Sequence, residues 1–442
     1  MIQVAQILFI LSVLVILHEF GHYITAKMFK VRVEKFYLFM DAGFSLVKKK
    51  IGETEWGIGW LPLGGYVKLS GMIDESMDTE QMKEEAQPWE FRSKPAWQRL
   101  IIMLGGIIVN VILAWFIFTI MYATVGQKFI STTKIQENGL AFGEVGQKAG
   151  FRNGDKILSV DGKYQPSFNR MTLDVLLGDK VEVERNGEKV DVILTDEMKG
   201  EIISKEGKEF VGPRTTNIKI DSIVPNSNAM KSGLQAGDNI VEVNNSKVIF
   251  FDELRDALSK HKNDSVNLSV NRNNQIIKIN ALVSKEGTLG FIQNTKLLKD
   301  DYEINNQLSF GQAVPAAVKE SWALLVYNVK QFKLILRPKT EAYKHVQSPI
   351  GIARRLPNTW DWEFIWNFTA LFSIGLAFMN LLPIPGLDGG HALFTIVEMV
   401  TGKKLSDKAA GYVQTAGMII LLTLMALTFG KDIYQLVVDK LL

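Results

Sequence analysis

The chain has 442 residues, room for two to four domains, and a net charge of +3, too small to point to a nucleic-acid partner. It contains no cysteine, which excludes disulfides, thiol nucleophiles and thiolate metal sites. An apolar fraction of 47% and a mean hydropathy of +0.08 average very apolar stretches with ordinary polar ones.

The first apolar stretch runs from about Ile2 to Phe29. It lacks the basic n-region and small-x-small cleavage site of a signal peptide and runs straight into His18-Glu19, so it is expected to stay as a membrane helix. Three more stretches reach the roughly 20 residues that a bilayer requires. They are about Leu100–Val125, with Asn110 as its only strongly polar residue, about Phe364–Leu382, with Asn367 and Asn380, and about Gly411–Phe429. Lys27, Lys30, Arg32, Lys35 and Lys48–Lys50 follow the first; Arg92, Lys94 and Arg99 precede the second; Lys403, Lys404 and Lys408 follow the third. These clusters share one side if the N-terminus is outside, which makes that side the cytoplasm. The long loop between the second and third helices is then extracytoplasmic, and a loop of that length translocates largely regardless of charge.

That loop repeats itself. Gly150-Phe-Arg-Asn-Gly-Asp-Lys-Ile-Leu-Ser-Val160 aligns with Gly233-Leu-Gln-Ala-Gly-Asp-Asn-Ile-Val-Glu-Val243. Each copy reads as a glycine turn, Gly-Asp, and an alternating strand (Ile157, Val160; Ile240, Val243). In the second copy a helix is expected over Phe251–Lys260 and strands over Val266–Val270 and Ile276–Ile279. The copies resemble PDZ domains, which commonly bind an extended peptide at a sheet edge. In the first, Gly139-Leu140-Ala141-Phe142 is the candidate carboxylate-binding loop. The alternative is that the copies are folded spacers or size filters. Leu308–Leu336, with Pro315 near its start, has apolar residues at three- and four-residue spacing and Trp322, Lys330, Lys333 and Arg337 suited to a membrane surface. Packing against a PDZ copy is equally compatible with it.

The expected layout is a polytopic α-helical membrane protein with four transmembrane helices, two inserted extracytoplasmic PDZ domains and a membrane-associated β-hairpin region. Residues 1–30 form the first membrane helix, 31–98 a cytoplasmic-side loop with the hairpin, and 99–126 the second helix. The PDZ copies occupy 127–214 and 215–298, and an amphipathic membrane-surface linker 299–361. The third helix with an aspartate loop covers 362–395, and the fourth 409–437.

His18-Glu19-Phe20-Gly21-His22 is an H-E-x-x-H motif. On a helix, positions i and i+4 share a face, so both imidazoles reach one metal. A catalytic zinc takes three protein ligands and keeps one position open. Glu19 can accept the proton of the attacking water and deliver it to the leaving amine. Ionisable side chains in an apolar segment are costly and mark a functional site by default. A helix ending near Leu17, with its histidines as interfacial polar groups, explains neither the spacing nor the glutamate. A third ligand is required. His261 and His345 lie in the extracytoplasmic loop, and Asp388 in Asn380-Leu-Leu-Pro-Ile-Pro-Gly-Leu-Asp-Gly-Gly390 is the better candidate. There Pro383 and Pro385 break a membrane helix, and irregular backbone at that depth is tolerated where it lines a wet cavity. A solvated aspartate in a Pro-Gly turn is the bland alternative.

H-E-x-x-H in the first membrane helix, N-x-x-P-x-x-x-x-D-G near the end of a later one, and PDZ copies between them resemble the site-2 protease family over essentially the whole chain. The resemblance implies an intramembrane zinc metalloendopeptidase of the bacterial inner membrane, with one Zn2+ per chain held by His18, His22 and Asp388, and Glu19 as general base. It implies that Asn380 contacts the substrate or supports the reacting carbonyl. The family's G-P-x-x-N motif appears as Gly105-Gly106-Ile-Ile-Val-Asn110, shifted and without its proline, which leaves the role of Asn110 open. Val31–Leu69 is similar to the family's hairpin beside the zinc, whose strand edge, with Gly64, Gly65 and Tyr66, would hold an unwound substrate. An ordinary cytoplasmic hairpin is the alternative. Asp74–Glu90 reads as a solvated acidic segment and Phe91–Arg99 as an interfacial anchor. The implied partners are a single-pass membrane substrate, such as an anti-sigma factor or a signal-peptide remnant, and the lipid bilayer. Two rivals remain: a membrane-anchored PDZ scaffold or chaperone with an inactive or structural metal site, and a transporter-like protein. The first would be expected to lose Glu19 or Asp388, and both are present.

Overall fold

The computed structural model describes residues 2–62, 64–72, 85–207, 209–216, 218–293, 302–403 and 407–441. Most of the acidic Asp74–Glu90 segment, together with Lys404, lies outside them. The chain divides into two compact units. One comprises Met1–Gly126, Gln307–Phe332 and Val346–Leu442, and the other Gln127–Asn306 and Lys333–His345. Among the described residues, four helices are long and apolar enough to cross a membrane.

The first unit begins with helix α1, Ile2–Met28. A four-stranded sheet follows: β1 (Val33–Leu38), β2 (Met40–Ile51), β3 (Thr54–Leu61) and β4 (Tyr66–Leu69), in the order β2-β3-β1-β4. The expected hairpin is β2–β3, but it is half of the element. β1 runs parallel to β3 and antiparallel to β4, so the chain doubles back twice. The sheet leans on α1: Tyr23 packs edge-on against Phe36 and Trp56. On the far side, Phe44, Leu46, Val47 and Trp60 are exposed, with Phe44 stacked on Trp60. Helix α2, Ala96–Thr124, then crosses α1 through glycine. A Cβ on Gly21 would lie 2.3 Å from the Gly105 carbonyl oxygen, so only the absence of side chains lets the backbones meet.

The second unit holds the repeat. Its first half builds an antiparallel sheet from Lys156–Val160, Lys180–Arg185 and Glu188–Ile193. The second builds one from Asn239–Val243, Ser265–Arg272 and Gln275–Leu282, flanked by helix α3, Phe251–Ser259. Each half has its own apolar core, around Phe142, Ile157 and Val181 in one and Ile220, Ile240 and Val270 in the other. The Gly-Asp signature has a structural cause in both. Arg185 donates to the buried Asp155 through Nε (2.8 Å) and a terminal nitrogen (2.7 Å), and also to the Gly150 carbonyl. Arg272 does the same to Asp238 (2.6 and 2.8 Å) and to the Gly233 carbonyl. A backbone N–H, from Arg152 and Gln235 respectively, completes each carboxylate. The segment after Lys333 docks on the first half: Arg337 reaches Asp196 (3.0 Å) and Asp179 (3.3 Å), and the fully buried Lys199 donates to Asp179.

Helix α4, Phe310–Ile335, carries Pro315 within it, in agreement with the expected Leu308–Leu336 helix. Its Ala313 and Ala317 are fully buried against Ala114, Ile117 and Phe118 of α2. Helix α5, Trp362–Leu381, stops before Pro383, as expected for a proline that removes a donor. Asp388, expected in a loop, is instead the first residue of a further helix, α6 (Asp388–Thr401). Gly386, with φ at +95°, reverses the chain so that helix can restart two residues later. Helix α7, Asp407–Leu441, packs on this turn through Gly417: a Cβ there would lie 1.9 Å from the Pro385 carbonyl oxygen. Near its other end the buried Asp432 accepts from the backbone and hydroxyl of Ser348 (2.7 and 2.6 Å).

Candidate metal centre

His18 and His22 lie one helical turn apart on the buried face of α1, and their rings meet edge to face at 5.0 Å. The third group arrives from the other end of the chain. Asp388 places Oδ2 at 3.2 Å from Nε2 of both histidines. Among the described residues, His18, His22 and Asp388 form the group able to hold a metal, their ligand atoms all within 4.8 Å of one another. Two imidazoles and a carboxylate match the donor set of a catalytic zinc.

The surroundings fit a metal as well as the donors do. His22 donates Nδ1–H to the Ile102 carbonyl at 2.9 Å, which leaves its Nε2 free to ligate. Gly106 of α2 backs onto both rings: a Cβ would lie 2.5 Å from His22 Nε2 and 2.6 Å from His18 Cε1. Asn110, fully buried, has its amide nitrogen 3.1 Å from His18 Nδ1, and its amide oxygen has no partner among the described residues. Asn380, next to last in α5, brings its amide nitrogen to 3.0 Å from His18 Nε2, so it stands beside the position a metal would take.

Glu19 is half-buried and follows His18 around the helix. It faces Gly65, where a Cβ would lie 3.2 Å from Glu19 Cγ and 2.6 Å from Val15. Gly64 and Gly65 lead into β4, an end strand of its sheet among the described residues, which borders this region. Tyr66 stacks on Tyr37 at 5.2 Å and donates its hydroxyl to Asp41 (3.0 Å), which fixes the start of that edge. Arg99 and Glu398 pair at 2.5 Å and tie α6, the carrier of Asp388, to α2.

The structure thus brings His18, Glu19, His22, Asp388, Asn380, Asn110, Gly64, Gly65 and Tyr66 into one unit. Gly139–Phe142 belong to the other. There Leu140–Phe142 form a strand paired with Val211–Pro213, not an open loop, with Leu140 and Phe142 in the core. Their backbone is taken up: the Phe142 N–H goes to Asn153, and its carbonyl accepts from Gln147 and Arg255. Sequence reasoning missed Gly21 and Ile102, and read Gly106 only as a small residue suited to helix contact. The glycines were visible in the motifs, but their role depends on how α1 crosses α2.

The chain is similar to known proteins. Residues 6–424 match the family described as Peptidase family M50. The chain is 28% identical over 460 residues to the regulator of sigma-E protease RseP of Escherichia coli K12, covering 98% of this chain and 99% of that protein. It is 26% identical over 457 residues to a putative zinc metalloprotease of Vibrio cholerae, covering 96% and 97%. It is 27% identical over 461 residues to the protease RseP of Yersinia pestis, covering 98% and 99%.

Proposed function

The chain belongs to peptidase family M50 and is an intramembrane metalloprotease, and from that premise we propose that His18, His22 and Asp388 hold one zinc ion per chain with Glu19 as the general acid–base. The observation that carries this assignment is the convergence of two Nε2 atoms and a carboxylate within 4.8 Å, beside a glutamate on the same turn. Zinc in such a site supplies Lewis acidity, lowering the pKa of water and polarising a carbonyl. The chain's own residues do the rest. Glu19 takes a proton from the attacking water and passes it to the amide nitrogen as the peptide bond breaks. Asn380 donates its amide N–H to the carbonyl oxygen as negative charge builds there. The outer edge of β4, an end strand among the described residues, entered through Gly64, Gly65 and Tyr66, pairs with a substrate segment pulled out of helical form. A helical peptide bond is shielded by its own hydrogen bonds, so unwinding must precede cleavage.

The substrate class follows from the setting. Four membrane-length helices around the site fit a protease of the bacterial inner membrane acting on transmembrane segments of single-pass proteins. Relatives named as regulators of sigma-E protease favour an anti-sigma factor already trimmed outside, and a signal-peptide remnant has the same chemistry. The flanking basic clusters support an extracytoplasmic N-terminus, with the metal toward the cytoplasmic side. The repeated halves, each with its Asp–Arg brace, support two PDZ-type modules on the extracytoplasmic side that exclude substrates with a bulky ectodomain.

The test is co-expression of a tagged single-pass substrate with the wild type and with Glu19→Gln, with the zinc content of both measured. The wild type should cut and Glu19→Gln should not, with zinc retained in both. Equal cutting by both overturns the mechanism. A wild type that holds no zinc and cuts nothing favours a membrane-anchored scaffold.

A further inference from the structure

Two amide groups flank the ring of His18: Asn110 at Nδ1 (3.1 Å) and Asn380 at Nε2 (3.0 Å), each presenting its nitrogen. A neutral imidazole has one acceptor nitrogen and one N–H. Both amides therefore cannot donate to it, and one must turn its oxygen inward. Which end of an amide faces a partner is set by the surrounding network. Asn110 is fully buried, and in its present orientation its oxygen has no partner among the described residues. A buried acceptor left unpaired costs about 1–3 kcal/mol.

The two histidines are built differently. His22 Nδ1 faces the Ile102 carbonyl, which can only accept, so its proton is fixed on Nδ1 and Nε2 is always ready to ligate. Nδ1 of His18 faces a carboxamide, which can serve either way. With the amide nitrogen inward, the ring's proton belongs on Nε2, where it faces Asp388 Oδ2 at 3.2 Å and blocks ligation. With the amide oxygen inward, the proton moves to Nδ1 and Nε2 opens to the metal. The turn pairs the amide oxygen and releases the amide nitrogen, so the need of a metal for an open Nε2 decides the orientation. Asn110 is well held for this role, since its backbone carbonyl accepts from Ser373 on α5 at 2.7 Å.

We infer that Asn110 is the positioning residue for His18: its carboxamide oxygen accepts the Nδ1–H and selects the tautomer that binds the metal. This gives Asn110, whose role the altered motif left open, a defined task. It rests on the reading of His18, His22 and Asp388 as the zinc site, and a partner of this kind is worth about 10–100-fold in metal affinity.

The test uses the full-length protein in detergent, with zinc affinity measured by chelator competition and the cobalt-substituted absorption spectrum as a second readout. Asn110→Leu, similar in size and without an acceptor, should bind zinc about 10–100-fold more weakly and alter the cobalt spectrum. Asn110→Asp, which keeps an acceptor at the same place, should bind within threefold of the wild type or more tightly. Ser373→Ala, which loosens the helix contact but leaves the amide, should bind as the wild type does. Wild-type affinity in Asn110→Leu overturns the proposal. If that variant does not fold, tenfold weaker binding in Asn110→Asp overturns it instead. Asp388→Ala is the separate control: full zinc binding there sinks the underlying site and not merely the role of Asn110.

Discussion

Two carboxylates sit beside the same pair of imidazoles, and their placement gives them different work. Asp388 points an oxygen at both Nε2 atoms, whereas Glu19 stands aside against Gly65. On the proposed mechanism, Asp388→Ala should lose zinc and activity together. Glu19→Gln should keep zinc and lose activity by about 10²–10⁴-fold, the usual contribution of a positioned acid–base. Zinc stoichiometry alongside cleavage rate separates the two. Gly106→Ala places a methyl within 2.7 Å of both rings, so it should weaken zinc binding and cost about 1–3 kcal/mol through overpacking. Thermal unfolding with and without a chelator measures both effects. His18, Glu19 and His22 were legible because helical periodicity alone puts the two histidines on one face. Gly106 and the Ile102 carbonyl were not, since nothing local says that α2 passes behind α1 at that turn.

At the scale of elements, the sequence marked the long apolar helices and the repeat strands well, because their periodicities are local. It was less informative where partners are distant. Val31–Leu69 read as a hairpin, but the pairing of β1 with both β3 and β4 depends on residues brought together from opposite ends of the segment. The restart of helix at Asp388 was hidden behind two prolines, which signal a stop but not how soon the chain resumes. That turn leans on α7 at Gly417, so Gly417→Leu should push the turn away and lower zinc occupancy without touching a ligand. Metal analysis of the purified variant checks it. In the repeat, burial works against the charge of Asp238, but Arg272 and the Gln235 N–H hold its carboxyl below the usual range. A lowered folded pKa contributes stability that is present above the unfolded value, near 3.9, and is lost as pH falls through the folded one. Asp238→Asn should therefore unfold this half more readily at pH 7. The difference from wild type should vanish at acid pH, as read by limited proteolysis across a pH series.

For the whole molecule, the four membrane-length helices and the presence of a repeat were legible in composition and spacing, while the braces that hold each repeat half were not. The four membrane-length helices and the repeat fall in separate units, and the proposed division between cutting and admission can be tested on that basis. If the repeat unit acts as a size filter, fusing a folded domain of about 100 residues, the commonest domain size, to the outer end of a cleavable substrate should abolish its cleavage. Disrupting the Arg185–Asp155 and Arg272–Asp238 braces together should restore it. Equal cleavage of short and bulky substrates by the wild type would remove the filter. Time adds a further consequence. The proposed ligands His22 and Asp388 are 366 residues apart, and Asp388 comes from a helix near the end of the chain. At ordinary ribosomal speeds, roughly 20–70 s separate the birth of His22 from that of Asp388. During that interval the nascent protein has two imidazoles and no completed centre. It enters the bilayer disarmed, among other unfinished helices it would otherwise be equipped to cut.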